Sequence, residues 1–330
     1  RQRGPPAEPF WTRKVMTKPE RAEEFFWMGK MKILTTGSAG FIGSSFVRML
    51  AQKGQDVIII DNLDYAADLR RLEEAKGHYK FYKADIRDQK KIETIFKKEK
   101  PQALVNFAAQ SHVDRSIKEP FIFTDTNIRG VQVLLEASKK YGLQRFIHIS
   151  TDEVYGDIEQ GEFLETTPLN PSSPYSASKA AADLLVKSYQ RTFNFPAVIV
   201  RPSNNYGPWQ YPEKLIPLAV LKILRGEKIP VYAQGTNVRE WLYLEDSVAG
   251  ILAILENGKL GEIYNLGSGQ ERQNIEVVKA ILSILKSDES RIEFVKDRPG
   301  HDIRYKLNSQ KIRQEVGWQA KVQFEEGIRK

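Results

Sequence analysis

Two short clusters carry the residue types that acid–base chemistry needs. In the first, Ser173-Pro174-Tyr175-Ser176-Ala177-Ser178-Lys179, a tyrosine and a lysine stand four apart behind a serine–proline pair. Serine then proline marks a helix start, with Ser173 as N-cap and Pro174 in the first turn. Residues four apart share one helix face, so Tyr175 and Lys179 are expected side by side. A free tyrosine ionises near pH ~10, and a useful phenolate near neutrality needs a drop of about 2–3 units, or roughly 3–4 kcal/mol. An ammonium about 4 Å away, at an effective dielectric near ~20, supplies about that much. The expectation is a tyrosine base whose pKa Lys179 lowers. In the second cluster, Ser150-Thr151-Asp152-Glu153-Val154-Tyr155-Gly156, Asp152 and Glu153 follow an apolar run. Carboxylates beyond a buried strand are costly unless paired or used. Adjacent, they can supply one acid and one base; a solvated loop is the plain alternative.

These clusters need a scaffold, and the order of elements predicts one. Short apolar runs recur at Lys32–Thr36, Asp56–Asp61, Tyr79–Ala84, Ala103–Phe107, Arg145–Ser150 and Ala197–Arg201. Helical stretches lie between them: Phe41–Gln52, Gln89–Glu99, Ile117–Tyr141 with a break near Pro120, and Tyr175–Thr192. Apolar strands alternating with helices imply an α/β fold, a doubly wound parallel sheet of Rossmann type covered on both faces. The later sequence mixes strands (Lys228–Tyr232, Arg239–Tyr243, Glu262–Asn265, Arg291–Val295) with helices (Lys214–Leu224, Glu245–Glu256, Asn274–Leu285). This suggests a smaller mixed α/β region over 204–330, interleaved with a dinucleotide-binding domain over 31–203. Residues 1–30, broken by Pro5, Pro6, Pro9 and Pro19, are an extension to which the sequence assigns no role.

The first strand runs into Thr36-Gly37-Ser38-Ala39-Gly40-Phe41-Ile42-Gly43 and a helix. Glycine lets the backbone turn sharply and approach a pyrophosphate, which the helix N-terminus then favours. The second strand ends in Asp61, whose carboxylate can accept both ribose hydroxyls of NAD and would repel the phosphate of NADP. Asp85-Ile86 end the third strand, where an adenine would lie, and Ala108 and Ala109 follow the fourth, where small residues let a cofactor pass.

Composition bounds the rest. The 330 residues are 41% hydrophobic and 28% charged, ordinary for a globular protein. With no cysteine there is neither a disulfide nor a thiolate metal site. His78, His112, His148 and His301 lack ligand spacing, so no metal is expected. Runs such as Val57–Ile60 are far too short to span a bilayer, and a cytoplasmic enzyme without a membrane partner is expected. Of the net charge of +8, residues 1–30 hold seven basic and four acidic side chains, a share of +3. The remainder is spread rather than clustered, which suits a phosphate-bearing small ligand better than a nucleic acid.

The glycine turn, Asp61, Thr151 and Tyr175-x-x-x-Lys179 together resemble the extended short-chain dehydrogenase/reductases, over essentially all of 31–330. Within that superfamily the chain is most similar to the dTDP-glucose 4,6-dehydratases, on Phe107-Ala108-Ala109-Gln110-Ser111-His112-Val113-Asp114-Arg115-Ser116, Thr151-Asp152-Glu153, Ser203-Asn204-Asn205-Tyr206-Gly207-Pro208, Pro212-Glu213-Lys214-Leu215-Ile216-Pro217 and Arg298-Pro299-Gly300-His301-Asp302. The Asp-Glu pair discriminates most, because epimerases of the superfamily usually carry small residues there and decarboxylating relatives Ser-Glu. The chain departs from the family at Asn62-Leu63-Asp64-Tyr65-Ala66-Ala67-Asp68 and at Gln110, where Glu is common, and relatives continue beyond Lys330.

The resemblance implies a nucleotide-diphosphate hexose as substrate and a retained NAD. UDP- or CDP-sugar dehydratases, 4-epimerases and a non-catalytic NAD-sensing scaffold are the alternatives. It implies that Tyr175 takes the proton from the hydroxyl at carbon 4, Thr151 holds that oxygen and Lys179 binds the nicotinamide ribose. Glu153 would remove the proton at carbon 5 and Asp152 protonate the departing hydroxyl at carbon 6. Cofactor contacts carry over to Gly37, Gly40, Phe41, Ile42, Gly43, Asp61, Asn62, Leu63, Asp64, Asp85, Ile86, Phe107, Ala108, Ala109, Ser111, Thr126, Tyr175, Lys179 and Asn205. Substrate contacts carry over to Ser111, Thr151, Asn204, Lys214, Leu215, Pro230, Val231, Tyr232, Arg239, Asn274, Arg298 and His301, with the two arginines suited to a diphosphate. It also implies a homodimer that pairs the Ile117–Tyr141 region and the Tyr175–Thr192 helix, with Ala177, Ala180, Ala181, Leu184, Leu185 and Val186, across a two-fold axis.

Overall fold

A computed structural model describes residues 31–330; the extension expected over 1–30 lies outside the described residues. The chain runs β1 (Ile33–Thr36), α1 (Phe41–Gln52), β2 (Val57–Asp61), β3 (Tyr79–Lys83), α2 (Gln89–Glu99), β4 (Ala103–Asn106), α3 (Val113–Lys118), α4 (Pro120–Thr124), α5 (Val131–Lys140), β5 (Arg145–Ile149), α6 (Pro174–Phe193) and β6 (Ala197–Pro202). It continues through β7 (Asn204–Tyr206), α7 (Leu215–Leu224), β8 (Ile229–Tyr232), β9 (Val238–Tyr243), α8 (Leu244–Asn257), β10 (Ile263–Leu266), β11 (Glu271–Gln273), α9 (Asn274–Ile284), β12 (Ile292–Val295), α10 (Gln310–Val316) and α11 (Phe324–Gly327).

The main sheet has seven strands in the order β10-β6-β5-β4-β1-β2-β3, all paired in parallel. Alternate residues feed opposite faces, as the two-residue period of a strand requires. Ile33, Val57, Ile59, Val105, Ile147 and Val200 pack under α1 and α8 on one side. Leu34, Ile58, Ile60, Leu104, Phe146 and Ile199 pack under α2, α5 and α6 on the other. The strand order reverses between β1 and β4, and in such sheets ligands bind outside the carboxyl ends of the strands at that point. β10, from the later half of the chain, completes the sheet beside β6.

The later sequence builds a second core of Tyr206, Ala219, Trp241, Tyr243, Val277 and Phe324. It carries a three-stranded sheet, β11-β9-β7, and a parallel pair, β8 with β12. Two details differ from the expected elements. The helix expected from Ile117 begins earlier, at Val113, because His112 acts as N-cap through Nδ1, which accepts from Arg115 N at 3.3 Å. After the break at Glu119 it continues through a π-helical stretch, Asp125–Gly130, before α5. β7 and β11, three residues each, are too short to show periodicity.

Candidate active site

The cleft at the carboxyl edge begins at the glycine turn. Gly37 has φ +68°, and a Cβ there would lie 2.6 Å from the backbone of Ala108. Only glycine permits both that turn and the close approach of the β4 loop. Asp61, 6% exposed, is anchored to the same turn: one carboxylate oxygen accepts from Ala39 N at 2.9 Å and the other from Leu63 N at 2.8 Å. Burial raises its pKa, and those two N–H groups oppose the rise. Each oxygen keeps a further acceptor site for a ribose hydroxyl. Beside it Asn62 Nδ2 donates to Asp85 at 3.1 Å, and Gln110 Nε2 donates to Asp64 at 2.5 Å.

At the cleft's inner end, Thr151 caps the 3₁₀ turn Asp152–Tyr155, accepting from Glu153 N at 3.3 Å and donating to Asp152 Oδ1 at 3.2 Å. Gly156 ends that turn at φ +82°, where a Cβ would run into Asn170 O. Asp152 is 2% exposed and its second oxygen has no protein partner. Burial, and then the neighbouring Glu153 and Glu240, push its pKa well above the carboxylate range. Glu153 is also raised by burial, but Arg298, Lys214 and Arg239 pull it back. Burial thus raises both carboxyls, but only Glu153 has three cations opposing the rise, so the surroundings bias Asp152 towards the acid role and Glu153 towards the base.

Tyr175 and Lys179 lie buried on α6, behind the capping box formed by Ser173 and Ser176. Here the structure corrects the expectation. Burial and the adjacent Glu153 raise the Tyr175 pKa, opposed by the Thr151 hydroxyl. The Lys179 ammonium donates instead to Ile149 O at 2.6 Å, and burial lowers its own pKa to about 8. The tyrosine of the unliganded chain is held protonated.

Twenty-three of the expected residues line this cleft: Gly37, Gly40, Phe41, Ile42, Gly43, Asp61, Asn62, Asp64, Asp85, Ile86, Phe107, Ala108, Ala109, Ser111, Thr126, Thr151, Asp152, Glu153, Tyr175, Lys179, Asn204, Asn205 and Lys214. Leu63, Leu215, Pro230, Val231, Tyr232, Arg239, Asn274, Arg298 and His301 are not part of its wall. Leu63 contributes its backbone N–H to Asp61 instead. Val231 is 2% exposed in the second core, so its side chain is spent on packing, and Leu215 packs against the same core. Asn274 opens α9.

Tyr232, Arg298 and His301 form a group outside the cleft. The Tyr232 hydroxyl donates to Asp114 at 2.8 Å, Arg298 lies 3.4 Å from the same carboxylate, and His301 stands edge-on to Tyr232. Arg239 donates to the carbonyls of Val238 at 2.7 Å and Asp302 at 2.9 Å, which hold it without cancelling its charge.

Several lining residues were not anticipated. Tyr65 donates to Glu213 at 2.9 Å across the cleft, with Tyr211 against its ring and Arg115 over its face. Ser203 and Gln210 join Asn204 and Asn205 in presenting buried oxygens that have no protein partner. Such a row of unsatisfied oxygens suits a polar ligand rich in donors. With the glycine cradle and Asp61, it fits a dinucleotide and a sugar.

The protein family described as GDP-mannose 4,6 dehydratase matches residues 34–330. The chain is 46% identical over 316 residues to the dTDP-glucose 4,6-dehydratase of Xanthomonas campestris, covering 89% of this chain and 90% of that one. The crystal structure of DesIV, a dTDP-glucose 4,6-dehydratase from Streptomyces venezuelae with NAD and dTDP bound, superposes with a TM-score of 0.88 at 44% identity, covering 91% of this chain and 95% of that one. UDP-glucose 4-epimerase of Thermus thermophilus, in complex with NAD, gives 0.85 at 32% identity, covering 91% and 97%.

The raised pKa of Asp152 has a consequence for stability. Below the ordinary value of 3.8 the carboxyl is protonated in folded and unfolded chains alike and makes no difference. As pH rises past that value the unfolded chain ionises first, and folding loses stability. Asp152→Asn removes this cost. At pH 7 the variant is expected to be more stable than the parent by about 1–2 kcal/mol in urea unfolding. The gain should shrink as pH falls towards the ordinary carboxyl range, and an equal or lower stability at pH 7 would contradict the burial argument.

Proposed function

The chain belongs to the GDP-mannose 4,6-dehydratase family of nucleotide-sugar enzymes, and from that premise we propose that it is an NAD-dependent hydro-lyase converting dTDP-glucose, or a close nucleotide hexose, to the 4-keto-6-deoxy sugar. The observation that carries this reading is the adjacent carboxyl pair, a buried Asp152 and a half-buried Glu153 with three cations acting on it, lining the same cleft as the buried Tyr175 and Thr151. A simple epimerase has no use for that pair.

NAD, when bound, accepts the hydride from carbon 4 of the hexose and gives it back at carbon 6. The glycine turn and Asp61 hold its adenosine end, and Lys179 takes the nicotinamide ribose. Tyr175 takes the proton of the carbon 4 hydroxyl while Thr151 holds that oxygen. Burial and Glu153 raise the Tyr175 pKa, and the positive charge of an oxidised nicotinamide bound nearby would oppose that rise. The ketone at carbon 4 acidifies the proton at carbon 5. Glu153, kept ionisable by Arg298, Lys214 and Arg239, removes it. Asp152 donates its proton to the hydroxyl leaving carbon 6 as water, and a proton exchangeable with solvent returns to carbon 5 as hydride adds at carbon 6. The substrate's diphosphate is expected at Arg239 and Arg298, and its nucleobase beside Tyr232, with Asp114 giving way. The division of labour at residue 203, between cofactor binding before it and mainly substrate binding after it, belongs to the same proposal, as does a cytoplasmic location.

We also infer a homodimer. α4 packs against α6, and their outer sides carry Phe121, 83% exposed, and Leu184, 57% exposed. Ala177 is exposed and Ala181 half-buried on the same side of α6. Ala180 and Val186, expected at this interface, are buried in the core instead. A second copy of the chain would cover the apolar stripe. The parent should scatter light as a dimer at micromolar concentration and Leu184→Glu as a monomer; a monomeric parent would end the proposal.

The catalytic assignment separates its steps. Glu153→Gln mixed with dTDP-glucose should build up the absorbance of reduced nicotinamide while 6-deoxy product falls about 10²–10⁴-fold. Tyr175→Phe should give neither signal nor product. Product formation by Glu153→Gln at the parent rate, with no absorbance change, would refute the mechanism.

A further inference from the structure

Behind the reacting edge lies a buried polar chain that the proposed chemistry does not use. Arg201, on β6, is 1% exposed. Its Nε donates to Asp183 at 2.9 Å and its Nη1 to the Tyr155 hydroxyl at 2.8 Å. The guanidinium also lies over the Tyr155 ring, 4.7 Å from its centre. That hydroxyl donates onward to Asn265 at 2.7 Å, and the ring stacks on Phe163. On the other side, His148 Nδ1 stands 3.3 Å from Asn106 Nδ2, an amide donor, so the imidazole proton belongs on Nε2. Nε2 faces the second Asp183 oxygen at 3.7 Å.

The two ends of this chain belong to different halves of the active site. Asp183 follows Lys179 by one turn and Tyr175 by two on α6. Tyr155 closes the 3₁₀ turn that carries Asp152 and Glu153. One guanidinium therefore ties the helix of the tyrosine–lysine pair to the turn of the carboxyl pair. Burying such an ion pair does not by itself stabilise a fold, since apolar packing often does as well. What the planar fork adds is a fixed angle between two partners, which neither a lysine nor a methionine can supply. Catalytic groups need that, because a displacement of about 1 Å can cost about 10²-fold in rate.

We propose that Arg201 is a positioning residue: by bridging Asp183 and Tyr155 it sets the Asp152–Glu153 turn against Tyr175, so that proton transfers at carbons 4, 5 and 6 act on one seated hexose. This rests on the dehydratase reading above.

Tyr155→Phe tests it, because the substitution keeps the ring, its stack and the cation above it and removes the hydroxyl that Arg201 holds, together with that hydroxyl's bond to Asn265. With dTDP-glucose the absorbance of reduced nicotinamide should rise at the parent rate, while product formation slows about 10–100-fold. The fraction of enzyme holding reduced cofactor during turnover should rise accordingly. Arg201→Lys should show the same imbalance, since one ammonium cannot make both bonds at the fork's angle. If the Arg201 variant does not fold, Tyr155→Phe decides alone. Equal slowing of both phases, or the parent's balance between them, overturns the proposal, since a merely structural residue would not shift that balance. A parent enzyme that yields no 4-keto-6-deoxy product would defeat the dehydratase reading and the proposal with it; a productive parent with an unshifted Tyr155→Phe defeats the positioning role alone.

Discussion

A carboxyl group almost sealed from water, with one oxygen unpartnered, cannot carry a charge without a large loss of solvation. Asp152 is such a group, and much of the surrounding structure follows from accommodating it. The turn that holds it ends in a glycine because a side chain there would strike Asn170 O. Glu153, next in the chain, is kept usable by three cations brought from the later sequence, Arg298, Lys214 and Arg239. The cleft thus sets a carboxyl biased towards the acid role beside one that three cations keep usable as a base.

The same cations give the charge of the chain a local meaning. Arg239 is held by backbone carbonyls rather than by a carboxylate, so its charge remains available to an anion. Arg298 shares Asp114 with the Tyr232 hydroxyl, and Lys214 reaches across to Ser111 O at 3.0 Å. A nucleotide diphosphate bound beside these groups, as proposed, would meet positive charge already oriented, which is where electrostatic preorganisation acts most strongly.

Much of this was legible in the sequence, and the failures are instructive. The glycine turn, Asp61 and the alternation of strands with helices could be read because each depends on local type and spacing: glycine before a helix, a carboxylate at a strand end, short continuous apolar runs between helical stretches. The helix placement of Tyr175 and Lys179 followed from Ser173-Pro174 for the same reason. The sign of the Tyr175 shift did not follow. Spacing put an ammonium on the right face but could not show that it bonds Ile149 O, or that Glu153 faces the phenol. Tyr65 and Glu213 meet across the cleft from positions 148 residues apart, and no local signal joins them. Val231 was carried over from the resemblance as a substrate contact, and the sequence did not show that its side chain packs into the second core. Arg201 read as the end of a strand; only its two buried partners reveal what it connects.

The central claim is that one enclosed site withdraws hydride at carbon 4 and restores it at carbon 6 without releasing the cofactor. dTDP-glucose carrying deuterium at carbon 4 tests this directly when the product is analysed by mass spectrometry and NMR. The account predicts that the deuterium appears at carbon 6 of the 4-keto-6-deoxy sugar, even with excess unlabelled NADH in solution. Product without the label at carbon 6, or with the label diluted by the added NADH, would contradict it.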